Sequence, residues 1–255
     1  MKYLIKQFLA KKGYEIISLR PGSNPDWPIE LSESDVKFIK YIEENELSMV
    51  PRRGLIATAL ACRYIIREKL DGDFVECGVW RGGNSLLAKM IFDDSGSKNR
   101  NVWLFDTFEG MPEPTLHDSL IPNGESAITE FEKNKTKAGS DWAYASLEFV
   151  MTAFEKAGAR DSRVHFIKGD VADTLKTSMK IPSQIAVLRL DTDWYESTRL
   201  ELETLYPILE RKGVLIIDDY GHWAGAKKAV DEFFINEKIK YFLIPIDHSI
   251  RVLVK

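Results

Sequence analysis

Hydrophobic positions alternate between helical and strand spacing along most of the chain. Apolar residues recur at helical spacing over residues 55–70, an Asp-Gly-Asp turn follows, and residues 74–77 form an apolar run. This order is typical of a helix, a turn and a buried strand. The same pattern predicts helices over residues 84–94 (capped by Asn84 or Ser85), 140–158, 197–213 and 224–235. It predicts strands over residues 101–108, 163–170, 184–191, 213–219, 241–247 and 250–255.

The succession of these elements predicts the fold class. Strands that alternate with helices are joined by right-handed crossovers into a mostly parallel sheet. The last two strands are separated only by a short turn around His248 and Ser249, which favours an antiparallel hairpin. We therefore predict an α/β, Rossmann-like fold with a mostly parallel seven-stranded sheet, helices on both faces and a C-terminal antiparallel hairpin.

One irregular segment follows the second predicted strand. Residues 109–139 contain Pro112, Pro114, Pro122 and several charged residues. Long irregular segments in compact domains often cover a site. A lid over a substrate and a surface insertion are both consistent with this pattern.

Composition narrows the class of protein. The 255 residues are 44% hydrophobic and 29% charged, and the net charge of −4 gives no reason to expect nucleic acid as a partner. Two cysteines exclude a disulfide framework and a cysteine-based zinc site, and a reducing cytoplasm fits. The N-terminus resembles neither a signal peptide nor a transmembrane segment. Leu4, Ile5, Phe8 and Leu9 share a face of a short predicted helix, which packs on the protein's own core or docks on a membrane or partner.

The sequence FVECGVWRGG, residues 74–83, joins the first strand to a helix through a glycine-rich turn. Such a turn offers backbone N–H groups to a ligand at the carboxyl end of a strand. Dinucleotide-binding turns follow G-x-G-x-x-G, but here Glu76 precedes Gly78 and Gly82. A carboxylate repels a pyrophosphate and attracts an ammonium group, which S-adenosylmethionine carries. Glu76, Gly78 and Gly82 are therefore candidate donor-binding residues.

Two more strand ends supply candidate donor contacts. Asp106 closes the second strand, where an acid can accept hydrogen bonds from ribose hydroxyls. After the third strand, Asp170 can pair with an adenine amino group and Val171 can pack on the adenine ring. Acids at strand ends also commonly cap helices, so the prediction of a donor site depends on these features together.

Four carboxylates follow the fourth and fifth strands. Asp191 and Asp193 lie in LRLDTDWY, and Asp218 and Asp219 lie in LIIDDY. Like charges at one sheet edge destabilise one another unless they share protons or a cation neutralises them. Oxygen ligands favour a hard ion such as Mg²⁺, and Asp191, Asp218 and Asp219 are the candidate ligands. The alternative is that some of these acids cap helices, as Asp193 could for the helix that follows.

The motifs ECGVWRGG, FDTFEGMP, LRLDTDWYEST and IIDDY, in this order, resemble those of the macrocin O-methyltransferase family over residues 49–234. That family methylates sugar hydroxyls of macrolide and aminocoumarin antibiotics. The resemblance implies a class I methyltransferase fold, S-adenosylmethionine as donor, Mg²⁺ dependence and a homodimer. It also implies Asp191, Asp218 and Asp219 as metal ligands.

The resemblance further places the methionine end of the donor near Glu76 and Gly78, and the ribose on Asp106. Residues 1–48 match the family poorly, so we predict an N-terminal helical or lid extension over 1–48 and the methyltransferase domain over 49–255. In such proteins the first region helps to close the acceptor pocket. The resemblance leaves the acceptor open among a surface polysaccharide, a lipid-linked sugar and a natural product.

An alcohol needs activation before it can attack a methyl sulfonium. A divalent cation lowers the pKa of an oxygen that it binds, and an acceptor with two neighbouring hydroxyls could chelate the ion. A base must also take the proton, and Asp191 and His222 are the two candidate catalytic residues. Trp194, Tyr195 and Tyr220 could wall the acceptor pocket or belong to the core.

Two other classes share parts of this pattern. A nicotinamide-dependent oxidoreductase also uses an acid after the second strand, but it needs a first turn that accepts phosphates, and Glu76 disfavours that. A non-catalytic member of the same fold would bind the donor without turnover. The complete set of carboxylates favours an enzyme.

Overall fold

A seven-stranded sheet with helices on both faces forms the body of the protein. The structure is a computed structural model, and it describes residues 27–136, 140–176 and 181–255. The helices are α1 (Glu33–Glu44), α2 (Arg52–Arg67), α3 (Gly83–Asp94), α4 (Ala127–Asn134), α5 (Leu147–Lys156), α6 (Val171–Thr174), α7 (Tyr195–Leu205) and α8 (Ala224–Asn236). The strands are β1 (Asp73–Cys77), β2 (Val102–Asp106), β3 (Val164–Lys168), β4 (Ile185–Leu190), β5 (Leu209–Ile217), β6 (Ile244–Pro245) and β7 (Arg251–Val254).

The order of the strands, β3-β2-β1-β4-β5-β7-β6, opens a crevice at one edge of the sheet. Strands β1 to β5 are parallel to one another, whereas β7 runs antiparallel to both β5 and β6. The predicted parallel sheet with a C-terminal antiparallel hairpin is confirmed. The chain moves outward from β1 to β3 and then returns to β4 on the other side of β1. The loops that follow β1 and β4 therefore diverge. The carboxyl ends of these two strands border a crevice, which is where ligands bind in open α/β sheets.

Two apolar layers hold the helices against the sheet. On one face, Phe74 and Ile216 pack with residues of α1, α2, α3 and α5, and on the other face Leu188 and Leu215 pack with residues of α7 and α8. Full burial of a side chain of this size contributes roughly 1.5–3 kcal/mol. All six residues of β4 are buried, as expected for a central parallel strand covered on both faces.

Two helices differ from the prediction. The helix predicted over 140–158 begins only at α5, where the Ser146 side chain accepts a hydrogen bond from the Phe149 N–H (3.2 Å) and caps the helix. The helix predicted over 197–213 ends at Leu205. Pro207 follows and lacks an N–H to continue it, and the chain enters β5 at Leu209.

A cap and a strand also differ. Helix α3 is capped by Gly82 in a left-handed conformation, not by Asn84 or Ser85. The strand predicted over 241–247 pairs only at Ile244 and Pro245, because β6 is the edge strand and proline cannot donate to a ladder.

The described part of the predicted N-terminal extension packs on the main core. Ser32 and Asp35 form a capping box at the start of α1, and Ile39 and Ile42 are fully buried in the layer that also contains residues of α2 and α3. The division at residue 48 stays a prediction, and the helical face predicted over residues 4–9 lies outside the described residues. Within the described ranges, no helix has both the length and the apolar character needed to cross a bilayer.

An ionic network joins α3 to the loop before β3. Lys89 is 1% exposed and pairs with Asp93 and with Asp161 (3.1 Å). Burial tends to raise the pKa of Asp161, but hydrogen bonds from Arg163 and Lys89 outweigh it and lower that pKa to about 2. This network lies apart from the crevice and supplies a control for charges within it.

Candidate active site

A cavity of about 390 Å³ lies at the carboxyl edge of the sheet. Gly78, Asp106 and Asp170, at the ends of β1, β2 and β3, border one half, and Asp191 and Asp219, after β4 and β5, border the other. The volume lies within the range of small-molecule sites, roughly 300–1,000 Å³. The structure thus brings the candidate donor residues and the candidate metal ligands to one space.

The glycines of the first turn allow close packing within the protein. Gly78 has a φ of 79°, and a Cβ there would lie 1.8 Å from the Asp191 carbonyl oxygen. A Cβ on Gly83 would lie 2.5 Å from the Leu47 carbonyl oxygen, and one on Gly82 would lie 2.7 Å from the Val150 side chain. Side chains are excluded here first by the protein's own atoms. Gly78 borders the cavity, whereas Gly82 does not.

Asp106 holds the glycine turn in place. Its carboxylate accepts hydrogen bonds from the backbone N–H groups of Val79 (2.7 Å), Trp80 (3.2 Å) and Phe108 (2.6 Å). Burial raises the pKa of Asp106, and these hydrogen bonds oppose the rise. The Thr107 hydroxyl also lies 3.5 Å from Oδ1, but it donates its one proton to the Gly110 carbonyl at 2.7 Å. A carboxylate has about four lone-pair sites, so one remains for a ligand beside the three N–H groups. The ribose contact stays a prediction.

Glu76 borders the cavity and is also paired inside the protein, and its contact with the donor stays a prediction. It is 1% exposed, and its carboxylate accepts hydrogen bonds from the Ser85 hydroxyl (2.5 Å) and from Arg189 Nε (3.1 Å). Burial raises the pKa of Glu76 to about 7, with Arg189 opposing the rise. The sequence pattern did not anticipate this buried partner.

Arg189 is the central cation beneath the cavity. It is fully buried, and its Nη2 donates to Asp191 Oδ2 (2.9 Å) and to Asp218 Oδ1. Together with the contact to Glu76, one guanidinium joins the ends of β1, β4 and β5. Within the described residues, Nη1 has no hydrogen-bond partner.

Three carboxylates converge in the second half of the cavity. Asp191, Asp193 and Asp219 each place a potential ligand atom within 4.8 Å of the others. Burial, followed by neighbouring acids, raises the pKa values of Asp191 and Asp219 well above the usual range. Burial also raises the pKa of Asp193 to about 6, although hydrogen bonds to Asp219 and Trp223 oppose it. Negative charges this close together need protons or a cation to coexist.

The three predicted metal ligands do not all belong to the converging group. Asp191 and Asp219 belong to the converging group, whereas the Asp218 carboxylate faces Arg189. Asp193 joins the group in its place. It does not cap α7, whose N-cap is Trp194. The φ of Asp193 is 68°, in the left-handed region, so the chain turns away from the direction of β4 at this residue.

The remaining candidates also border the cavity. The Asp170 side chain accepts a hydrogen bond from the Ala172 N–H (2.8 Å) and caps α6, whose first residue is Val171. His222 lies on the opposite side, after β5, and burial together with the neighbouring His248 lowers its pKa.

A segment after β2 covers the second half of the cavity. We call residues 110–127 the roof segment, and Gly110, Met111 and Pro112 within it border the cavity. The Ile121 N–H donates to the His222 carbonyl (2.9 Å), and the Trp194 indole donates to the Pro112 carbonyl (3.0 Å). Of the two interpretations of this segment, these contacts favour a cover of the site and disfavour a surface insertion without a role.

Three tryptophans support the roof segment from below. Trp142, Trp194 and Trp223 make edge-to-face contacts with centroids 5.0–6.1 Å apart. Trp194 and Trp223 are buried, so Trp194 packs in the core below the acceptor half. Trp142 was not predicted as a site residue, because its position depends on where α5 begins.

Arg189 was also missed by the sequence reasoning, although the sequence held a signal. An arginine inside the apolar run IAVLRL marks a charge at a core position, and such a charge needs buried acids around it. Asp193 was predicted among the four acids at this sheet edge but not as a metal ligand, since spacing does not reveal a left-handed turn.

The chain is similar in sequence to known O-methyltransferases and in structure to a solved one. The chain is 40% identical over 173 residues to an 8-demethyl-8-(2,3-dimethoxy-alpha-L-rhamnosyl)-tetracenomycin-C 4'-O-methyltransferase of Streptomyces olivaceus, covering 68% of this chain and 62% of that protein. It is 35% identical over 185 residues to a demethyldecarbamoylnovobiocin O-methyltransferase of Streptomyces niveus, covering 72% and 66%. The chain therefore spans less than two thirds of the length of either relative.

The solved structure of the O-methyltransferase NovP matches with a TM-score of 0.71 at 30% sequence identity, covering 82% of each chain. This match confirms the predicted class I methyltransferase fold. A family model described as macrocin-O-methyltransferase (TylF) matches residues 42–253, which is most of the chain. The resemblance seen in the motifs is thereby confirmed, and the chain belongs to the macrocin-O-methyltransferase family.

Proposed function

We propose that the protein is an S-adenosylmethionine-dependent O-methyltransferase that methylates a hydroxyl of a sugar or a glycosylated small molecule. The continuity of the cavity carries the proposal, because Gly78 and Asp106 border one half and Asp191 and Asp219 border the other. A donor in the first half would lie beside acids suited to an alcohol. The Streptomyces olivaceus relative, which methylates a rhamnosyl derivative, supports the class of acceptor.

The first half of the cavity supplies contacts for the donor. S-adenosylmethionine, when bound, supplies an electrophilic methyl group on a sulfonium. We assign the ribose hydroxyls to the lone-pair site of Asp106 that its three N–H partners leave open, and the adenine amino group to Asp170, with Val171 against the ring. The methionine end is assigned to the neighbourhood of Glu76 and Gly78.

The acids of the second half fit a divalent cation. Carboxylate oxygens within 4.8 Å of one another suit the short oxygen distances of Mg²⁺, about 2.1 Å. We propose that Asp191 and Asp219 would hold the ion. The sequence predicts Asp218 as the third ligand, whereas the converging group favours Asp193 in that role. When bound, Mg²⁺ would act as a Lewis acid that lowers the pKa of the acceptor hydroxyl.

Asp191 is proposed as the base that takes the acceptor proton. One of its oxygens accepts from Arg189, and the other is left to face the cavity. His222 is the alternative, and its lowered pKa leaves the imidazole neutral and able to accept a proton near pH 7. Alignment of the acceptor oxygen with the methyl group supplies a large part of the rate, since a well-oriented pair reacts as if highly concentrated.

The acceptor needs an oxygen next to the reacting hydroxyl. We predicted vicinal hydroxyls, and the acceptor of the Streptomyces olivaceus relative carries methoxy groups at positions 2 and 3 beside the methylated 4' position. The oxygen next to the reacting hydroxyl can therefore belong to an ether instead of a hydroxyl. A homodimer and a cytoplasmic location remain predictions, and sedimentation of the purified protein tests the first.

The decisive experiment is acceptor-dependent release of S-adenosylhomocysteine. Purified protein with S-adenosylmethionine and MgCl₂ is screened against glycosylated natural products, glycolipids and sugar nucleotides. We expect turnover with at least one class and its loss in EDTA. Undiminished turnover in EDTA would reject the role of Mg²⁺, and donor binding without turnover for any acceptor would favour the non-catalytic alternative. Binding of a nicotinamide cofactor in place of S-adenosylhomocysteine would favour the oxidoreductase.

One variant separates donor binding from chemistry. Asp219→Asn removes a charge from the acid group, and we expect turnover to fall at least a hundredfold. S-adenosylhomocysteine affinity, measured by calorimetry, should change less than threefold. Glu196→Gln, an exposed acid paired with Arg199, is the matched control and should change neither quantity. Equal loss of donor binding and turnover in Asp219→Asn would contradict the division into two halves.

A further inference from the structure

The turn between β6 and β7 is fixed against the acid-bearing loop after β5. The Gly221 N–H donates to the Ser249 carbonyl (2.9 Å), and the Ser249 hydroxyl donates to the Asp218 carbonyl (2.5 Å). A Cβ on Gly221 would lie 1.8 Å from the His248 carbonyl oxygen, so the two loops are in backbone contact. This contact holds Asp247 and His248 at a defined place beside the cavity.

Three polar groups here have no hydrogen-bond partner within the described ranges of the chain. They are the imidazoles of His222 and His248, whose ring centroids lie 6.2 Å apart, and one oxygen of Asp247. Asp247 uses only Oδ1, which accepts from the N–H groups of Ser249 and Ile250 (2.8 Å each). All three side chains border the cavity beside the acid group.

The other two histidines of the sequence contact neighbouring side chains. His165 stacks on Trp103, and its Nε2 lies 3.2 Å from Asn101 Oδ1. His117 Nδ1 lies 3.3 Å from Lys228 Nζ, outside the cavity. His222 and Asp247 are half-buried and His248 is exposed, so water reaches these three groups, and they can exchange that water for the hydroxyl groups of a ligand in the cavity.

The charge of the cavity restricts that ligand. Among the described residues, the cavity is bordered by eight carboxylate side chains and by no lysine or arginine. Arg251 follows the turn, but its Nη1 donates to the carbonyls of Asp247, Ser249 and Ile250. Phosphate groups are recognised by arginine, lysine or arrays of N–H groups. Apart from a Mg²⁺ ion held by the acids, the described side chains of the second half of the cavity therefore offer no cationic partner to a phosphate and suit an uncharged ligand.

We propose that Asp247, His222 and His248 form a subsite that binds hydroxyl groups of the acceptor sugar next to the one that is methylated. The inference rests on the proposed function. A neutral imidazole offers one donor and one acceptor, a carboxylate oxygen accepts, and a sugar hydroxyl does both. Because no lysine or arginine among the described residues borders the cavity, we expect the protein without bound Mg²⁺ to favour an uncharged glycoside over a nucleoside-diphosphate sugar.

Binding measurements test the subsite independently of turnover. The protein is saturated with S-adenosylhomocysteine in EDTA, so that Mg²⁺ cannot bridge the acids to a phosphate, and is titrated, by ligand-observed NMR, with neutral methyl glycosides of rhamnose, glucose, galactose and xylose. Thymidine-diphosphate rhamnose is titrated in parallel. We expect at least one methyl glycoside to bind at least tenfold more tightly than the nucleotide sugar, which lacks a cationic partner here.

Variants locate the contact. His248→Ala and Asp247→Asn should each weaken glycoside binding about 3- to 10-fold, the loss of one hydrogen bond. Asp247→Asn retains Oδ1 for the Ser249 and Ile250 N–H groups, so the turn is kept. His117→Ala, the matched histidine outside the cavity, should bind the glycoside like the wild type. S-adenosylhomocysteine affinity should stay unchanged in all three variants.

The outcomes separate this proposal from the proposed function. No binding of any neutral glycoside, tighter binding of the nucleotide sugar, or unchanged binding in both His248→Ala and Asp247→Asn would overturn the subsite. The expected binding pattern without methylation of any acceptor would leave the subsite standing and reject the enzymatic function alone. A rise in KM without a matching fall in kcat in His248→Ala would further separate recognition from a merely structural role.

Discussion

Replacing Arg189 with methionine tests the arrangement of charges beneath the cavity. The substitution keeps an unbranched apolar side chain on β4 but removes the guanidinium that contacts Glu76, Asp191 and Asp218. Arg189 is fully buried, and the three carboxylates are 1%, 22% and 16% exposed. Water therefore replaces the lost donors poorly, and the acids are left close together without a counter-charge.

The expected loss of stability is large for a single substitution. Removal of one partner from a buried ion pair costs about 3–5 kcal/mol, and three carboxylates lose their partner here. For domains of about this size, 1 kcal/mol lowers Tm by roughly 2–4 °C, so Tm should fall by roughly 6–20 °C.

Thermal unfolding followed by circular dichroism, with and without MgCl₂, measures this loss. Because a divalent cation would return positive charge to Asp191 and Asp218, we expect MgCl₂ to raise the Tm of Arg189→Met more than that of the wild type. Lys89→Met is the matched control. Lys89 is equally buried, but its partners Asp93 and Asp161 are 35% and 39% exposed and become solvated. Its Tm should fall less, and MgCl₂ should raise it only as much as it raises the Tm of the wild type.

Two results would refute the reasoning. If Arg189→Met unfolded within about 1 kcal/mol of the wild type, the contacts would be worth no more than an exposed ion pair. If Arg189→Met and Lys89→Met lost the same stability and responded equally to MgCl₂, Arg189 would have no special relation to the acids.

Three further substitutions test other parts of the structure. Gly78→Ala places a Cβ 1.8 Å from a backbone oxygen at a φ of 79°, and we expect a loss of about 3 kcal/mol in denaturant unfolding; Gly96→Ala, with a φ of 71° and nothing within 4 Å, should lose only about 1 kcal/mol. Asp106→Ala should weaken S-adenosylhomocysteine binding at least tenfold by calorimetry, and unchanged affinity would exclude Asp106 from the donor site. Asp161→Asn should cost about 1 kcal/mol at pH 7, because the charged form is stabilised but partly exposed. The pKa of Asp161 is lowered to about 2 in the folded protein, so its stabilisation is present above the unfolded pKa of about 3.9 and is lost as pH falls through about 2; a difference between variant and wild type that persisted below pH 2 would contradict the assignment.

The sheet could be predicted from the sequence because its signals are local. The run at residues 184–191 is apolar throughout, and a central parallel strand buried on both faces has this composition. The antiparallel C-terminal hairpin followed from a short turn, since parallel strands need a long crossover. Helix ends were predicted less well. The start of α5 depends on the Ser146 cap and on Trp142 packing in a cluster formed by distant segments.

The candidate site was predicted in its residue types more than in its contacts. The acids at 191 and 219 were placed together because parallel strands end at one edge, and the structure brings them within 4.8 Å. The partner of Glu76 was not predicted, because Arg189 lies 113 positions away and spacing carries no information on such a contact. Likewise, the close approach of Gly78 to the Asp191 backbone was not predicted, because spacing along the chain does not show which strand end packs against it.

The hydrogen bonds of the roof segment couple the width of the cavity entrance to the position of a carboxylate in the site. The Ala224 N–H donates to the Ser119 carbonyl (2.8 Å), and the Ile121 N–H donates to the His222 carbonyl (2.9 Å), so the cover grips the same loop that bears Asp219. A substitution that widens the entrance for a bulkier aglycone will also shift the carboxylate needed for chemistry. Selection for new acceptors in this protein will therefore tend to act through compensating pairs of changes, one in the cover and one in the loop beneath it.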